Sequence, residues 1–335
     1  MKILVPVDGS SQSQAALDFV ASRTTLLGHE PRIQLINVQP GLSARVVRAI
    51  GREEAKAFQR AEADEVLRPA VARLRRAGIS PLASYALGGR ANAIGAVATK
   101  GRADLVVMGS RGHSGLKGLL FGSMTNAVLA GCSTPMLILR SAKAPSQDML
   151  SVGIAIDGSP LAAAAVRWVI RHRDLFGAAP RVELIHVHHA ALAEGHKSAH
   201  GAARRAQSAL ARVAANDTLT PDLDKLTAAP SRALAKAGIA ATVVHLHGPL
   251  AGEAIAAHAR RRRLDVLVMG SHGRGAFTSL VLGSVAMRVA ALCEVPLLLI
   301  RQRERASRPA SLQLAGAAID ATPGAPSPTL DRRAA

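Results

Sequence analysis

Two halves of this 335-residue chain carry the same landmarks in the same order, and no other feature limits the fold as strongly. The opening Lys2-Ile3-Leu4-Val5-Pro6-Val7-Asp8-Gly9-Ser10 returns as Ser151-Val152-Gly153-Ile154-Ala155-Ile156-Asp157-Gly158-Ser159, 149 positions later. Ala103-Asp104-Leu105-Val106-Val107-Met108-Gly109-Ser110 returns as Leu264-Asp265-Val266-Leu267-Val268-Met269-Gly270-Ser271, 161 positions later. The endings keep that second offset: Cys132 with Pro135-Met136-Leu137-Ile138-Leu139-Arg140, and Cys293 with Pro296-Leu297-Leu298-Leu299-Ile300-Arg301. The second copy is therefore 12 residues longer in its middle, between Val187 and Ala237. The chain is read as two domains of one architecture, 1–141 and 150–302, with a short joint between them. Residues 303–335 are rich in Ala, Pro, Ser and Arg and are expected to form a disordered tail.

Within a copy, short apolar runs alternate with longer amphipathic stretches. Residues 3–7 form an unbroken apolar run, the pattern of a strand buried on both faces. Helix at 12–27, strand at 32–38, long helix at 52–77 ending on Gly78, strand at 80–87, helix at 91–100, strand at 105–108, helix at 123–130 and strand at 135–140 follow. Ser159-Pro160 reads as an N-cap with proline at the first helical position. Five strands alternating with four helices imply a doubly wound α/β domain, its five-stranded sheet mainly parallel with helices on both faces. Ligands of such sheets bind outside the carboxyl ends of the strands, at the switch in strand order. Asp8 and Gly109 fall on that rim.

Composition bounds the partners. The net charge is +19, from 42 Lys and Arg against 23 Asp and Glu, which admits phosphates, nucleic acid or an anionic surface. Much of that charge lies in helical stretches such as 68–76 and 260–263, where a solvated face accounts for it. Aromatic residues make up 2% of the chain, too few for base-stacking platforms, so nucleic acid is not the expected partner. No apolar run approaches the ~20 residues of a membrane span, and no signal-peptide core follows Met1, so a cytoplasmic protein without membrane insertion is expected. Cys132 and Cys293 read as core residues.

The chemistry concentrates in one loop per copy. Gly109-Ser110-Arg111-Gly112 is followed by nine residues and then Gly122-Ser123; Gly270-Ser271-His272-Gly273 is followed by nine and then Gly283-Ser284. Glycines admit positive φ and close approach of backbone N–H groups. The last Gly-Ser opens a helix, whose orphan N–H groups and dipole favour an anion. Arg111, His113, Lys117, His272 and Arg274 lie in or beside the loops. The spacing is neither G-x-x-x-x-G-K-[ST] nor G-x-G-x-x-G, and it lacks the G-x-S-x-G of a nucleophile elbow.

On these residues each copy resembles a universal stress protein domain. ATP-binding members of that family carry G-2x-G-9x-G-(S/T), and both copies match it; the opening strand ending in Asp and the closing C-x-x-P-aliphatic-Arg segment also resemble the family. The resemblance implies an ATP-binding stress-response sensor or regulator, with or without Mg. Asp8 and Asp157 would sit beside adenine and ribose, and Val38 and Val187 would line the adenine pocket. Gly109, Gly112, Gly122 and Ser123, and Gly270, Gly273, Gly283 and Ser284, would cradle ribose and phosphates. Thr125 adds a hydroxyl in the first copy where the second has Ala286, so a weaker phosphate grip is expected in the second. In the family the closing strands mediate dimerisation, so the two copies would form an intrachain pseudo-dimer through 135–140 and 296–301; a further homodimer is left open.

The bland readings are helix-cap and Asx-turn roles for Asp8 and Asp157, and turn or packing roles for the glycines. Phosphoryl transfer needs a metal ligand, a base and charge clamps; Asp104 and Asp265 stand at strand starts, the wrong end of the sheet. No catalytic residues are assigned, slow ATP hydrolysis being the most that is entertained; the remaining alternative is a charge-driven binder of nucleic acid or anionic surfaces with vestigial nucleotide sites. His186 and His188, and again His245 and His247, alternate on strands and so share a face. Each pair is half of a zinc site at most, with no cysteine near, and no metal site is expected.

Overall fold

The structure is a computed structural model; it describes residues 1–110, 121–141, 144–188, 220–272 and 282–301. Each copy builds five strands in the order 3-2-1-4-5, and the two halves join into one ten-stranded sheet. The first half contains β1 (Lys2–Pro6), α1 (Ser11–Ala21), α2 (Thr24–Leu27), β2 (Arg32–Gln39), α3 (Ala44–Ile50), α4 (Arg52–Arg76), β3 (Leu82–Leu87), α5 (Arg90–Lys100), β4 (Leu105–Gly109), α6 (Ser123–Gly131) and β5 (Met136–Leu139). The second contains β6 (Ser151–Ala155), α7 (Pro160–Arg171), a 3₁₀ turn at Arg173–Leu175, β7 (Arg181–His188), α8 (Thr220–Lys236), β8 (Ala241–His247), α9 (Ala251–Arg261), β9 (Val266–Gly270), α10 (Ser284–Leu292) and β10 (Leu297–Ile300). The sheet order is β3-β2-β1-β4-β5-β10-β9-β6-β7-β8, with every pairing parallel except β5 with β10.

Two helices escaped the periodicity. The expected helix over 12–27 breaks at Ser22, whose side chain bonds Phe19 O at 3.0 Å, and resumes as the single turn α2. The short α3, capped by Ser43, has no buried residue and so no apolar stripe to announce it. The described part of the first copy thus has more than the four expected helices. Ser10 and Ser159 cap α1 and α7 by accepting from Ser13 N and Ala162 N at 3.2 and 3.1 Å, with Pro160 at the expected position. Gly78 (φ +78°) ends α4 in the left-handed region, as a C′ glycine should.

Alternate strand residues feed two cores that run through both halves. One face joins Ile3, Val5 and Leu35 to Phe19, Leu67 and Leu74, and Val152 and Leu184 to Val169 and Leu234. The other joins Leu4, Val106 and Met136 to Ile94 and Val128, and Leu267 and Leu299 to Ile255 and Val289. Both cysteines are buried in this second core. The long stretch in which the second copy exceeds the first lies largely outside the described residues, as does the expected tail.

The halves meet as expected along their closing strands, antiparallel, with Leu297 opposite Ile138, Leu298 opposite Leu137 and Leu299 opposite Met136. All eight residues of β5 and β10 are buried. The junction has a pseudo-twofold signature. Arg140 donates to Ala290 O at the end of α10, and Arg301 donates to Leu129 O at the end of α6. Each guanidinium thereby meets orphan carbonyls and the negative dipole end of the other copy's helix.

Candidate functional site

The carboxyl ends of β1 and β4, flanking the switch in strand order, carry the first candidate site; those of β6 and β9 carry the second. Asp8 leaves β1 exposed, and its Oδ1 accepts from Ser10 N at 3.0 Å and Ser10 Oγ at 2.6 Å. Asp157 accepts from Ser159 N at 2.9 Å. These are Asx turns, so one carboxylate oxygen of each residue shapes the turn into the following helix. Gly9 and Gly158, at φ +81° and +76°, make those turns possible.

The described loop glycines act differently from expectation: Gly109, Gly122, Gly270 and Gly283 are not among the positive-φ residues. Gly109 is required for space. A Cβ there would lie 2.3 Å from Gln12 Cβ and 2.9 Å from Gln12 C, so its hydrogen lets α1 pack onto the end of β4. Gly270 has the same relation to Leu161 of α7, at 2.8 Å. The packing role considered for these two residues is therefore present whether or not a ligand binds.

Gly122 and Gly283 close the loops. Their N–H groups donate to Ser110 O at 2.5 Å and Ser271 O at 2.8 Å, which brings the loop ends together at the rim. The loops are tied to the closing strands too, Ser110 N donating to Leu139 O and Ser271 N to Ile300 O. Ser110 and Ser271, buried and engaged on both sides, were not singled out in the sequence; the Gly-Ser doublet was their only trace. The N-cap residues of α6 and α10, Gly122 and Gly283, make no side-chain bond to the first turn, and Ser123 and Ser284 at those helix starts are exposed. Gly112 and Gly273 lie outside the described residues, as do Arg111, His113, Lys117 and Arg274.

Thr125 is 1% exposed, and its hydroxyl donates to Gly109 O at 3.0 Å. It locks the second turn-forming face of α6 to the end of β4 and is turned toward the backbone. Ala286, its counterpart, is equally buried and makes no such bond. Val38 is buried and Val187 half-buried, both against the core face that carries α5, α6, α9 and α10. At the opposite end of the sheet, Asp104 accepts from Lys2 N and Asp265 from Ser151 N, each at 2.7 Å. These carboxylates fasten the starts of β1 and β6, far from the loops.

The fold and rim define a tandem pair of doubly wound α/β domains, each presenting a helix N-terminus with a glycine N-cap at its switch point. A sequence model described as the Universal stress protein family matches residues 1–140 and 149–301. The chain belongs to the universal stress protein family. It is 27% identical to a universal stress protein of Mycolicibacterium smegmatis over 208 residues, 60% of this chain and 63% of the relative. With a universal stress protein of Mycobacterium tuberculosis it shares 28% over 211 residues, 60% of this chain and 62% of the relative. The matched segments thus span less than two thirds of those relatives. The crystal structure of a universal stress protein from Archaeoglobus fulgidus superposes with a TM-score of 0.61 at 21% identity, covering 90% of this chain and 98% of that one. Among the described residues no helix is long and apolar enough to cross a membrane.

Proposed function

We propose that this chain is an ATP-binding stress-response regulator with one nucleotide site on each rim. The observation that supports the reading is the pair of exposed helix starts at Ser123 and Ser284, each behind a glycine N-cap that makes no side-chain bond and held against the ends of β4 and β9. Orphan N–H groups and the positive dipole end suit phosphate oxygens there. Gly122 and Gly283 keep Cβ atoms out of the approach. Asp8 and Asp157 stand beside the rim for ribose hydroxyls, and Val38 and Val187 offer apolar walls for adenine. Gly112 and Gly273 complete the cradle in this reading, and Mg accompanies the phosphates if ATP is bound as its complex. Among the described residues the rim offers helix-start N–H groups and a carboxylate engaged in an Asx turn, which suit binding, so binding and signalling in the cytoplasm is the function assigned.

Mass spectrometry of nucleotide released from purified protein, with calorimetric titration of ATP, tests this directly. Adenine nucleotide at up to two equivalents is expected; no bound nucleotide and no ATP heat would reject it. Gly122→Val and Gly283→Val should each remove one equivalent. Gly109 and Gly270 are unsuitable probes, because a side chain there collides with α1 or α7 in any case.

A further inference from the structure

The two histidine pairs, 59 residues apart in sequence, become one cluster in the sheet. Parallel pairing of β7 and β8 sets His186 opposite His245 and His188 opposite His247. All four positions project to the same face, since side chains alternate along both strands. His188 is the hub: its ring centroid lies 4.9 Å from His186, 5.5 Å from His245 and 5.1 Å from His247. His188 Nε2 stands 3.4 Å from His245 Nδ1. That is long for a hydrogen bond. It matches the roughly 3.3–3.4 Å between neighbouring nitrogens of a tetrahedral zinc ion with bonds of about 2.0–2.1 Å.

We propose that this four-histidine face of the second domain binds a borderline transition-metal ion such as Zn²⁺, with His188 and His245 as the preformed edge of its ligand set. Imidazole is the fitting ligand for this class of ion. Among the described residues no three donors already surround one point. The third ligand therefore arrives by a ring turn, and His247 suits it, being exposed and stacked on His188. The turn is about Cβ–Cγ, a broad torsion. His186 is fixed differently: its Nδ1 bonds Ile156 O at 2.9 Å and must be the donor, which leaves Nε2 bare as an acceptor or further ligand. Burial first, then the neighbouring imidazoles, lowers the pKa of His188.

The first domain supplies an internal control. The positions equivalent in register are Asn37 opposite Tyr85 and Gln39 opposite Leu87. Asn37 does the same structural work as His186, donating Nδ2–H to Val7 O at 2.7 Å. The fold therefore does not need histidine here, and the imidazoles call for another account.

The test is calorimetric titration of the full chain with Zn²⁺ alone, in a non-chelating buffer, alongside a His188→Gln/His245→Gln variant. Wild type should bind one ion tenfold or more tighter than the variant, and tenfold or more weaker once pH is lowered well below the histidine range. Co²⁺ should give an intense tetrahedral ligand-field band in wild type that the variant lacks. Equal Zn²⁺ binding by both proteins, or no binding by wild type, would overturn the proposal. Equal melting temperatures of the two in chelator would show that any lost binding is not lost folding; a variant that melts early is replaced by His247→Gln, which the fold should tolerate because the ring is exposed.

Discussion

The two rims share one design and differ in the side chains that stiffen it. In the first domain Thr125 ties α6 to Gly109 O, whereas Ala286 leaves α10 without that tie. At the foot of the sheet the contrast is reversed. The second domain has Glu183 bonded to His258 Nε2 at 2.6 Å and to Arg262 Nε at 2.9 Å, with His258 buried. The first has Gln34 and Val97 at those places, and Gln34 bonds only weakly to Ser84 Oγ at 3.3 Å. Duplication preserved the backbone bonds that close the loops and let the side chains around them diverge. What is common to both halves is therefore the better guide to the shared site, and what differs is the better guide to what each half does alone.

The largest effect should come from attacking what the halves share. Leu137 and Leu298 face each other in register and are fully buried. Leu137→Ala or Leu298→Ala should each cost about 2–5 kcal/mol by denaturant unfolding. The double variant should deviate from additivity, since the two side chains share one contact. Additive costs would mean that the junction does not couple the domains.

Next in size is the pair that only the second domain has. His258→Ala removes a charged hydrogen bond from a nearly buried carboxylate and should cost about 2 kcal/mol. Burial pushes the Glu183 carboxyl up, but the hydrogen bonds from His258 and Arg262 outweigh it and leave it below the usual carboxylate range. A group with a depressed folded pKa stabilises above its unfolded value, near ~4.3, and loses that contribution as pH falls through the folded one. The second domain should lose stability in acid through this group, and Glu183→Gln should flatten that part of the pH profile. An unchanged profile would remove Glu183 from the account.

The smallest effect sharpens the rims themselves. Thr125→Ala should cost about 1 kcal/mol in stability. If the tie also orders the helix start for phosphate, ATP affinity of the first site should fall roughly fivefold, and Ala286→Thr should raise that of the second by a similar factor. Calorimetry in the background of Gly283→Val or Gly122→Val isolates each site. Equal affinities in all four proteins would confine Thr125 to packing.

Much of this is legible in the sequence alone. The unbroken apolar run at 3–7 reads as a strand buried on both faces, and Ser159-Pro160 marks a helix start by cap chemistry alone. The missed pieces have physical reasons. The short α3 buries nothing, so periodicity carried no trace of it. The use of Gly109 depends on α1 passing within touching distance, and the aim of the Thr125 hydroxyl on a carbonyl 16 residues away.

The sequence by itself determined the duplication, the α/β alternation and the loop at each rim, because each is written in local spacing. The tertiary structure alone decided the antiparallel sense and register of the expected junction between β5 and β10, that the arginines after them cap each other's helices, and that four histidines read as two half-sites form one cluster. Those outcomes rest on register between strands, and register is set by how whole faces pack, which no short window of sequence contains.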